Sequence, residues 1–219
     1  MARLARVVVP GYPHHITQRG NRRQQVFFED SDYSYYLDLL KEWCGQEGIE
    51  VWAYCLMTNH VHLIVTPNKQ SNLSRAIGEM HRRYTRMINF RNRWKGYLWQ
   101  GRFASFPMDE HWLLKAAAYV ELNPVKAGIV SNAWDYQWSS VHAHLSGKDS
   151  DGIILPDRLL AMTGDWRTYL QDAQYGVNDS LEQHERTGRP LGSEGFIEKA
   201  ERLLERELKK KKPGPKLAV

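Results

Sequence analysis

The sequence predicts an α+β fold built on a four-stranded antiparallel sheet. Three observations support this. Between residues 12 and 123 the apolar pattern switches repeatedly between strand and helix spacing, and glycine, proline and asparagine separate the segments. The 219 residues are 42% hydrophobic, which supplies a core. No run approaches the ~18 apolar residues of a membrane span. Two cysteines exclude a disulfide framework and a four-cysteine zinc site.

The first strand is predicted over residues 12–19, before the loop signal Gly20-Asn21. A helix is predicted over Tyr33–Cys44, where aromatic and leucine side chains recur at three- and four-residue spacing. Gly45 and Gly48 end this helix, because glycine favours the left-handed conformation that terminates helices.

Two strands follow at residues 49–57 and 60–66, then a long basic helix at 72–92 and a fourth strand at 97–106. A last helix runs from Met108 to about Asn123 and is predicted to end before Pro124. The order β-α-β-β-α-β is that of the ferredoxin-like split, with both helices on one face of the sheet. The last helix is an addition to this core.

The apolar pattern loosens after residue 130. We therefore predict one domain over residues 1–175 and an appendage over 176–219. The appendage contains a Gly/Pro-bearing linker, a charged helix near Phe196–Leu208 and a basic end.

The net charge of +5 conceals three basic segments. Residues 1–23 hold five arginines and no acidic residue, residues 75–102 hold eight basic residues against one glutamate, and residues 209–216 hold five lysines. The rest of the chain is therefore strongly acidic. Each segment alone fits a solvated surface, but three segregated segments favour a nucleic-acid partner.

His60 and His62 lie on the predicted third strand, with Val61 between them. Side chains alternate along a strand, so both imidazoles point to one face and can bind a divalent metal together. The same spacing also occurs in histidines that only pack.

Tyr119 and Asn123 lie four residues apart on the last helix and therefore share one face of it. A tyrosine beside alanines, or an asparagine before a proline, is equally compatible with ordinary helix packing.

Taken together and in order, these residues resemble the single-tyrosine transposases of the HUH endonuclease superfamily, in particular the REP-associated tyrosine transposase branch. The similarity spans about residues 12–141. The motifs that carry it are HHITQRGNRRQ, HVHLIV, MHRRYTRMINFRNR, LWQGRFAS, YVELNPVKAGIV and WSS, with GRPLG in the tail.

The resemblance implies a metal-dependent endonuclease and strand transferase that acts on single-stranded DNA containing hairpins. Tyr119 would be the nucleophile that forms a 5′-phosphotyrosine and leaves a free 3′-hydroxyl. His60, His62 and Asn123 would bind Mg²⁺ or Mn²⁺, which polarises the scissile phosphate. No small-molecule cofactor is expected. An ordinary tyrosine pKa is near ~10, so its activation at neutral pH needs a nearby positive charge.

The basic segments then become candidate DNA contacts, with Tyr97 and Trp99 as candidates for base stacking. The candidate phosphate-binding residues are Arg19, Asn21, Arg22, Arg23, Arg82, Arg83, Arg86, Arg91, Arg93, Arg102, Lys209 and Lys210. The tail ends in KPGPK, where the resembling proteins more often carry Gly-Arg-Pro, so a groove-binding role does not follow for it.

Two alternatives stay open. A non-catalytic nucleic-acid-binding regulator could use the same fold, and a zinc hydrolase would need a further strong ligand whose position the sequence does not indicate. We expect a cytoplasmic, nucleoid-associated protein that contacts no membrane. We expect a monomer, with a dimer as the alternative.

Overall fold

The alternating and continuous apolar runs of the sequence form a four-stranded antiparallel sheet. The computed structural model describes residues 5–70, 72–173 and 179–209. The strands are β1 (His14–Arg19), β2 (Ile49–Met57), β3 (His60–Pro67) and β4 (Ala104–Pro107). They lie in the order β2-β3-β1-β4, and every neighbouring pair is antiparallel. This is the strand order of the ferredoxin-like split, so the predicted fold class is confirmed.

One face of the sheet is covered by α1 (Asp30–Glu47) and α2 (Asn72–Asn92). α2 has the predicted bounds, whereas α1 begins before the predicted Tyr33 and continues past Cys44 and through Gly45 to Glu47, so Gly45 does not end it. It begins earlier because the Asp32 carboxylate accepts hydrogen bonds from the main-chain nitrogens just before the helix. Gly48 ends α1 in the left-handed conformation, with φ of 63°.

The opposite face is covered by α3 (Glu110–Glu121), which packs on Ile64 and Phe106. A register shift in β2 between Val51 and Ala53 contributes to this packing, because it turns Val51 toward α1 and α2 but Ala53 toward α3. The expectation of helices on one face therefore describes only the ferredoxin-like core, and the added helix covers the other face.

Short helices continue the layer beside α3. Pro124 lies in the first turn of α4, where its missing N–H costs nothing. The chain thus breaks at Leu122 but remains helical beyond the proline that was predicted to end it. The short helices are α4 (Asn123–Lys126), α5 (Val141–Ser146), α6 (Pro156–Thr163) and α7 (Trp166–Ala173).

The predicted strand over residues 97–106 is wrong for its first seven residues. Gly96 and Gly101 take positive φ angles of 99° and 80°, which fold the segment into turns before β4. Residues 98–100 nevertheless stay beside the end of β1. Asn21 N donates to Leu98 O, and Gln100 N donates to Arg19 O, each at 2.8 Å.

The C-terminal helices return to the sheet. The helix α8 (Asp179–Thr187) approaches β1 and β4, and α9 (Glu194–Leu204) packs Ala200 against Val7 and Val9. The helix α9 ends at Leu204, before the predicted Leu208. Between the two helices, Leu191 forms a parallel bridge with Met108 at the edge of β4. None of the helices in the described ranges has the length and apolarity needed to cross a membrane.

Candidate active site

Three histidines meet where β1 and β3 pair. The antiparallel register places Thr17 opposite His62 and Arg19 opposite His60. The His60 and His62 rings lie 4.9 Å apart between centroids, on the sheet face that α3 covers. Val61 between them is fully buried in the other core. The alternation of the strand therefore places the two imidazoles side by side.

Each of these two histidines is held through its Nδ1 atom. His60 Nδ1 lies 2.6 Å from Asn59 Oδ1, and His62 Nδ1 lies 3.0 Å from His15 Nε2. A side-chain carbonyl oxygen only accepts hydrogen bonds, so His60 Nδ1 is the donor and its Nε2 carries a free lone pair. Fixing one ring nitrogen by a hydrogen bond is the usual way in which proteins orient a histidine for metal binding through the other.

Tyr119 approaches this group from the last turn of α3. Its ring centroid lies 5.9 Å from those of both His15 and His62, and its ring meets theirs edge-on at 86°. Burial raises the pKa of the Tyr119 hydroxyl above its usual value, as does the nearby Glu185, whereas Arg19 acts to lower it. Without a further positive charge the hydroxyl therefore stays protonated at neutral pH.

Asn123 is buried at the start of α4, one turn beyond Tyr119. Its Nδ2 donates a hydrogen bond of 2.8 Å to the main-chain oxygen of Tyr119. The amide thus fixes the end of the helix that carries the tyrosine. Metal binding by Asn123 stays a prediction.

Two residues join the site that the sequence did not single out as ligands, His15 from β1 and Glu185 from α8. One ligand atom from each of His15, His62 and Glu185 lies within 4.8 Å of the other two. Two imidazoles and a carboxylate are a common donor set for divalent transition metals. His15 stands in the HHITQRG motif opposite the HxH strand, so an assumed pairing of β1 with β3 could have found it. No pattern in the sequence indicates Glu185.

Burial keeps the imidazoles neutral. It lowers the pKa of His15 to about 3 and, together with the charge of Arg19, that of His60 to about 4. Burial and neighbouring positive charges lower the pKa of His62 well below its usual value. Neutral imidazole is the form that binds metals.

The Glu185 carboxyl group also differs from an exposed one, because burial raises its pKa to about 7. Its Oε1 lies 3.5 Å from His15 Nδ1 and 3.7 Å from His62 Nδ1. These distances are short enough for ion pairs, but His15 and His62 are neutral and therefore do not form ion pairs with the carboxyl group. His15 Nδ1 and Glu185 Oε1 are both buried and lack a hydrogen-bond partner in the described part of the chain. Buried nitrogen and oxygen atoms that have lone pairs and no hydrogen-bond partner are suitable ligands for a cation.

The predicted DNA contacts at the end of β1 lie near the histidines. Arg19 pairs with His60 across the sheet, and Asn21 begins the short turn that follows. Arg22 and Arg23 are exposed and take positive φ angles of 52° and 61°, which are uncommon for arginine. The turn therefore presents two guanidinium groups to solvent beside the candidate active site.

The predicted contacts on α2 and in the segment between α2 and β4 fall into two groups. Arg82 pairs with Glu79, Arg83 with Glu42, and Arg91 with both Glu29 and the buried Asp32. Arg86, Arg93 and Arg102 form no ion pair with a carboxylate in the described ranges.

In the tail, Lys209 pairs with Glu198, whereas Lys210 lies outside the described residues.

Comparison with known proteins finds transposases by both sequence and structure. The sequence pattern of the family described as "Transposase IS200 like" matches residues 9–123. A protein of Haemophilus influenzae named as a REP-associated tyrosine transposase is 26% identical over 149 residues, which are 60% of this chain and 85% of the relative. The solved structure of a REP-associated tyrosine transposase bound to a REP hairpin superposes with a TM-score of 0.58 and 21% identity, over 69% of this chain and 90% of that one. This second similarity is one of fold.

Proposed function

The chain belongs to the IS200-like transposase family, and we propose that it cleaves and rejoins single-stranded DNA through Tyr119. The observation that carries this proposal is the position of the Tyr119 ring, 5.9 Å from the centroids of the His15 and His62 rings on the same face of the sheet. A tyrosine this close to a cluster of neutral imidazoles is positioned to act as the nucleophile in phosphoryl transfer.

In the proposed reaction the Tyr119 oxygen attacks the scissile phosphorus and loses its proton. The bond from phosphorus to the 3′-oxygen breaks, and that oxygen takes up a proton as a 3′-hydroxyl. The 5′-phosphate remains on the tyrosine. Attack by another 3′-hydroxyl reverses these steps and joins a new DNA end, because the phosphotyrosine retains the energy of the phosphodiester.

The residues that would hold a divalent cation, Mg²⁺ or Mn²⁺, are His60 and His62 with an oxygen ligand from Asn123 or Glu185. When bound, such a cation neutralises charge on the scissile phosphate and favours the ionised phenol. His15 orients His62, and Asn59 orients His60. Asn123 positions Tyr119 through its main-chain oxygen.

We propose single-stranded DNA with a hairpin as the substrate. The related structure in complex with a REP hairpin supports this choice. So does the exposed turn of Asn21, Arg22 and Arg23 beside His60, because guanidinium groups beside a nuclease centre hold phosphates.

The test uses a hairpin oligonucleotide labelled on the segment that would become attached, incubated with Mg²⁺ or Mn²⁺ and run on a denaturing gel. We expect a covalent adduct with the wild-type protein and none with Tyr119→Phe. Tyr35→Phe, a tyrosine of α1 on the other side of the sheet, is the matched control and keeps full activity. An adduct in Tyr119→Phe would exclude this nucleophile. Hairpin binding without any adduct in the wild type would favour the non-catalytic regulator.

A further inference from the structure

A groove lies on the sheet face opposite Tyr119. It has a volume of about 580 Å³ and runs between one side of α2 and the turns that precede β4. Gln18 of β1 lies at its base and donates from Nε2 to Gly101 O at 2.9 Å, which holds the turns in place. Gln18 follows Ile16 by two residues, and Ile16 packs in the core under α1 and α2, so the groove belongs to that face.

The lining is cationic and contains no carboxylate. The Arg6 guanidinium is fixed by hydrogen bonds of 2.8 Å to Ser74 Oγ and to Phe103 O, and it lies 3.5 Å from the centre of the Phe103 ring. Burial and the charge of Arg102 lower the pKa of Arg6 to about 10. The Arg6 guanidinium is therefore held in place near a second positive charge, that of Arg102, and neither forms an ion pair with a carboxylate in the described ranges. An anion between them would remove this repulsion.

The groove also carries an unusually exposed aromatic side chain. Tyr97 is 85% exposed, although it lies among lining residues whose other aromatic members are buried. Trp99 is one of these buried members, and its Nε1 has no hydrogen-bond partner in the described part of the chain. An exposed ring beside guanidinium groups is an arrangement that binds unpaired nucleotides, because the bases stack on the ring and the phosphates pair with the cations.

We propose that this groove binds an unpaired segment of the DNA, with a phosphate at Arg6 and Arg102 and a base stacked on Tyr97. The proposal deepens the proposed function and rests on it. Duplex DNA does not fit this role, because its bases are already stacked and offer no free face to Tyr97.

The groove connects to the candidate active site around the end of β1. Its turns are hydrogen-bonded to β1, with Gln100 N donating to Arg19 O at 2.8 Å. The next side chain after Gln18 along β1, Arg19, lies opposite His60. A strand bound in the groove would therefore pass the end of β1 near the histidines.

The experiment measures DNA binding by fluorescence anisotropy, in the full-length Tyr119→Phe protein so that no cleavage occurs. The probes are a blunt REP-type hairpin and the same hairpin with about ten unpaired nucleotides on either end. The variants are Arg102→Gln and Tyr97→Ala, both at exposed positions. Arg158→Gln and Phe90→Ala are matched controls, since Arg158 lies on α6 and Phe90 is 87% exposed outside the groove.

We expect each variant to weaken binding of a tailed hairpin about five-fold or more, and to leave binding of the blunt hairpin unchanged. We also expect Arg102→Gln to make the negative slope of log affinity against log salt less steep by about 0.7. Equal loss for both probes, or no loss for either, would overturn the proposal. The binding experiment measures no cleavage. If the wild-type protein forms no covalent adduct, the proposed function is refuted, but the anisotropy data still decide whether the groove binds unpaired DNA.

Discussion

At the scale of single residues, the candidate site depends on how each imidazole is held. His15 Nε2 lies 3.0 Å from His62 Nδ1, and His15 is buried, so this hydrogen bond fixes the orientation of the His62 ring. Removing a partner of this kind typically costs 10- to 100-fold in metal affinity. We therefore expect His15→Ala to weaken Mn²⁺ binding about 10-fold or more in calorimetric titration. The exposed His142→Ala is the control, and equal affinities for both variants would contradict the role assigned to His15.

A second prediction concerns Glu185 and pH. Burial raises its pKa from 4.5 to about 7, so the folded, metal-free protein prefers the protonated carboxyl group. The stability that this group contributes is present below its unfolded pKa and is lost as pH rises toward 7. In EDTA, Glu185→Gln should thus gain stability relative to wild type between pH 5 and pH 8, by up to about 3 kcal/mol.

Thermal melts at the two pH values check this. Glu182 lies on the same helix and is ion-paired to Lys126 at the surface. The stability of Glu182→Gln relative to wild type should therefore not increase as the pH rises. A Glu185→Gln difference that is constant with pH would show that the carboxyl group is not desolvated in solution.

The sequence places only part of this site. Strand alternation and helical spacing are local, so they predict that His60 faces the same way as His62 and that Tyr119 shares a face with Asn123. Local patterns do not contain the pairing of β1 with β3 that brings His15 to His62. They contain still less the return of α8 that brings Glu185. Both contacts join residues far apart in sequence, and only the folded chain defines them.

At the scale of elements, α3 is anchored by a residue that its helical pattern leaves outside the predicted site. Glu121 is fully buried and accepts hydrogen bonds from Ser140 Oγ, His144 Nδ1 and Trp166 Nε1 at 2.5, 2.6 and 2.7 Å. These donors tie the helix that carries Tyr119 to α5, α7 and the residue before α5. The network explains how a short helix holds its position on the sheet.

Glu121→Ala leaves the buried His144 Nδ1 and Trp166 Nε1 donors without an acceptor, each at a cost of about 1–3 kcal/mol, whereas Ser140 Oγ keeps Tyr54 O as an acceptor. We expect the free energy of unfolding to fall by at least about 2 kcal/mol, measured by urea denaturation. Glu110→Ala, at the exposed start of the same helix, should change it by less than about 1 kcal/mol. Similar losses for both variants would mean that the network contributes nothing specific.

Elements with their own strong pattern are predicted well, and those that depend on a partner are not. β2 and α2 have the predicted bounds, since long apolar periodicity determines each of them. Residues 97–103 have a composition typical of a strand. They nevertheless form no continuous strand and pair with the chain after β1 only through the bridge of Trp99 with Gly20, because Gly96 and Gly101 turn the chain and β4 itself pairs with β1 over only four residues.

At the scale of the whole molecule, the structure separates basic residues that stabilise the fold from those free to meet DNA. Arg83 and Arg91 pair with carboxylates of α1 or its cap, so they contribute to packing between α1 and α2. Among the predicted DNA contacts in the described ranges, those without a carboxylate partner lie at the end of β1, on α2 or just after it, and in the turns before β4. They are Arg19, Arg22, Arg23, Arg86, Arg93 and Arg102. The segregation of charge along the sequence thus overstates the number of DNA contacts.

This division predicts the salt dependence of DNA binding. Each phosphate neutralised on a single strand contributes about −0.7 to the slope of log affinity against log salt. The double variant Arg22→Gln/Arg93→Gln should therefore make the slope less steep by about 1.4. The control Arg83→Gln/Arg158→Gln removes the same formal charge, but both of its arginines are paired to glutamates, so the slope should change by much less. Anisotropy titrations from about 50 to 300 mM salt separate the two cases. Equal changes would mean that net charge, and not the placement of unpaired arginines, determines DNA affinity.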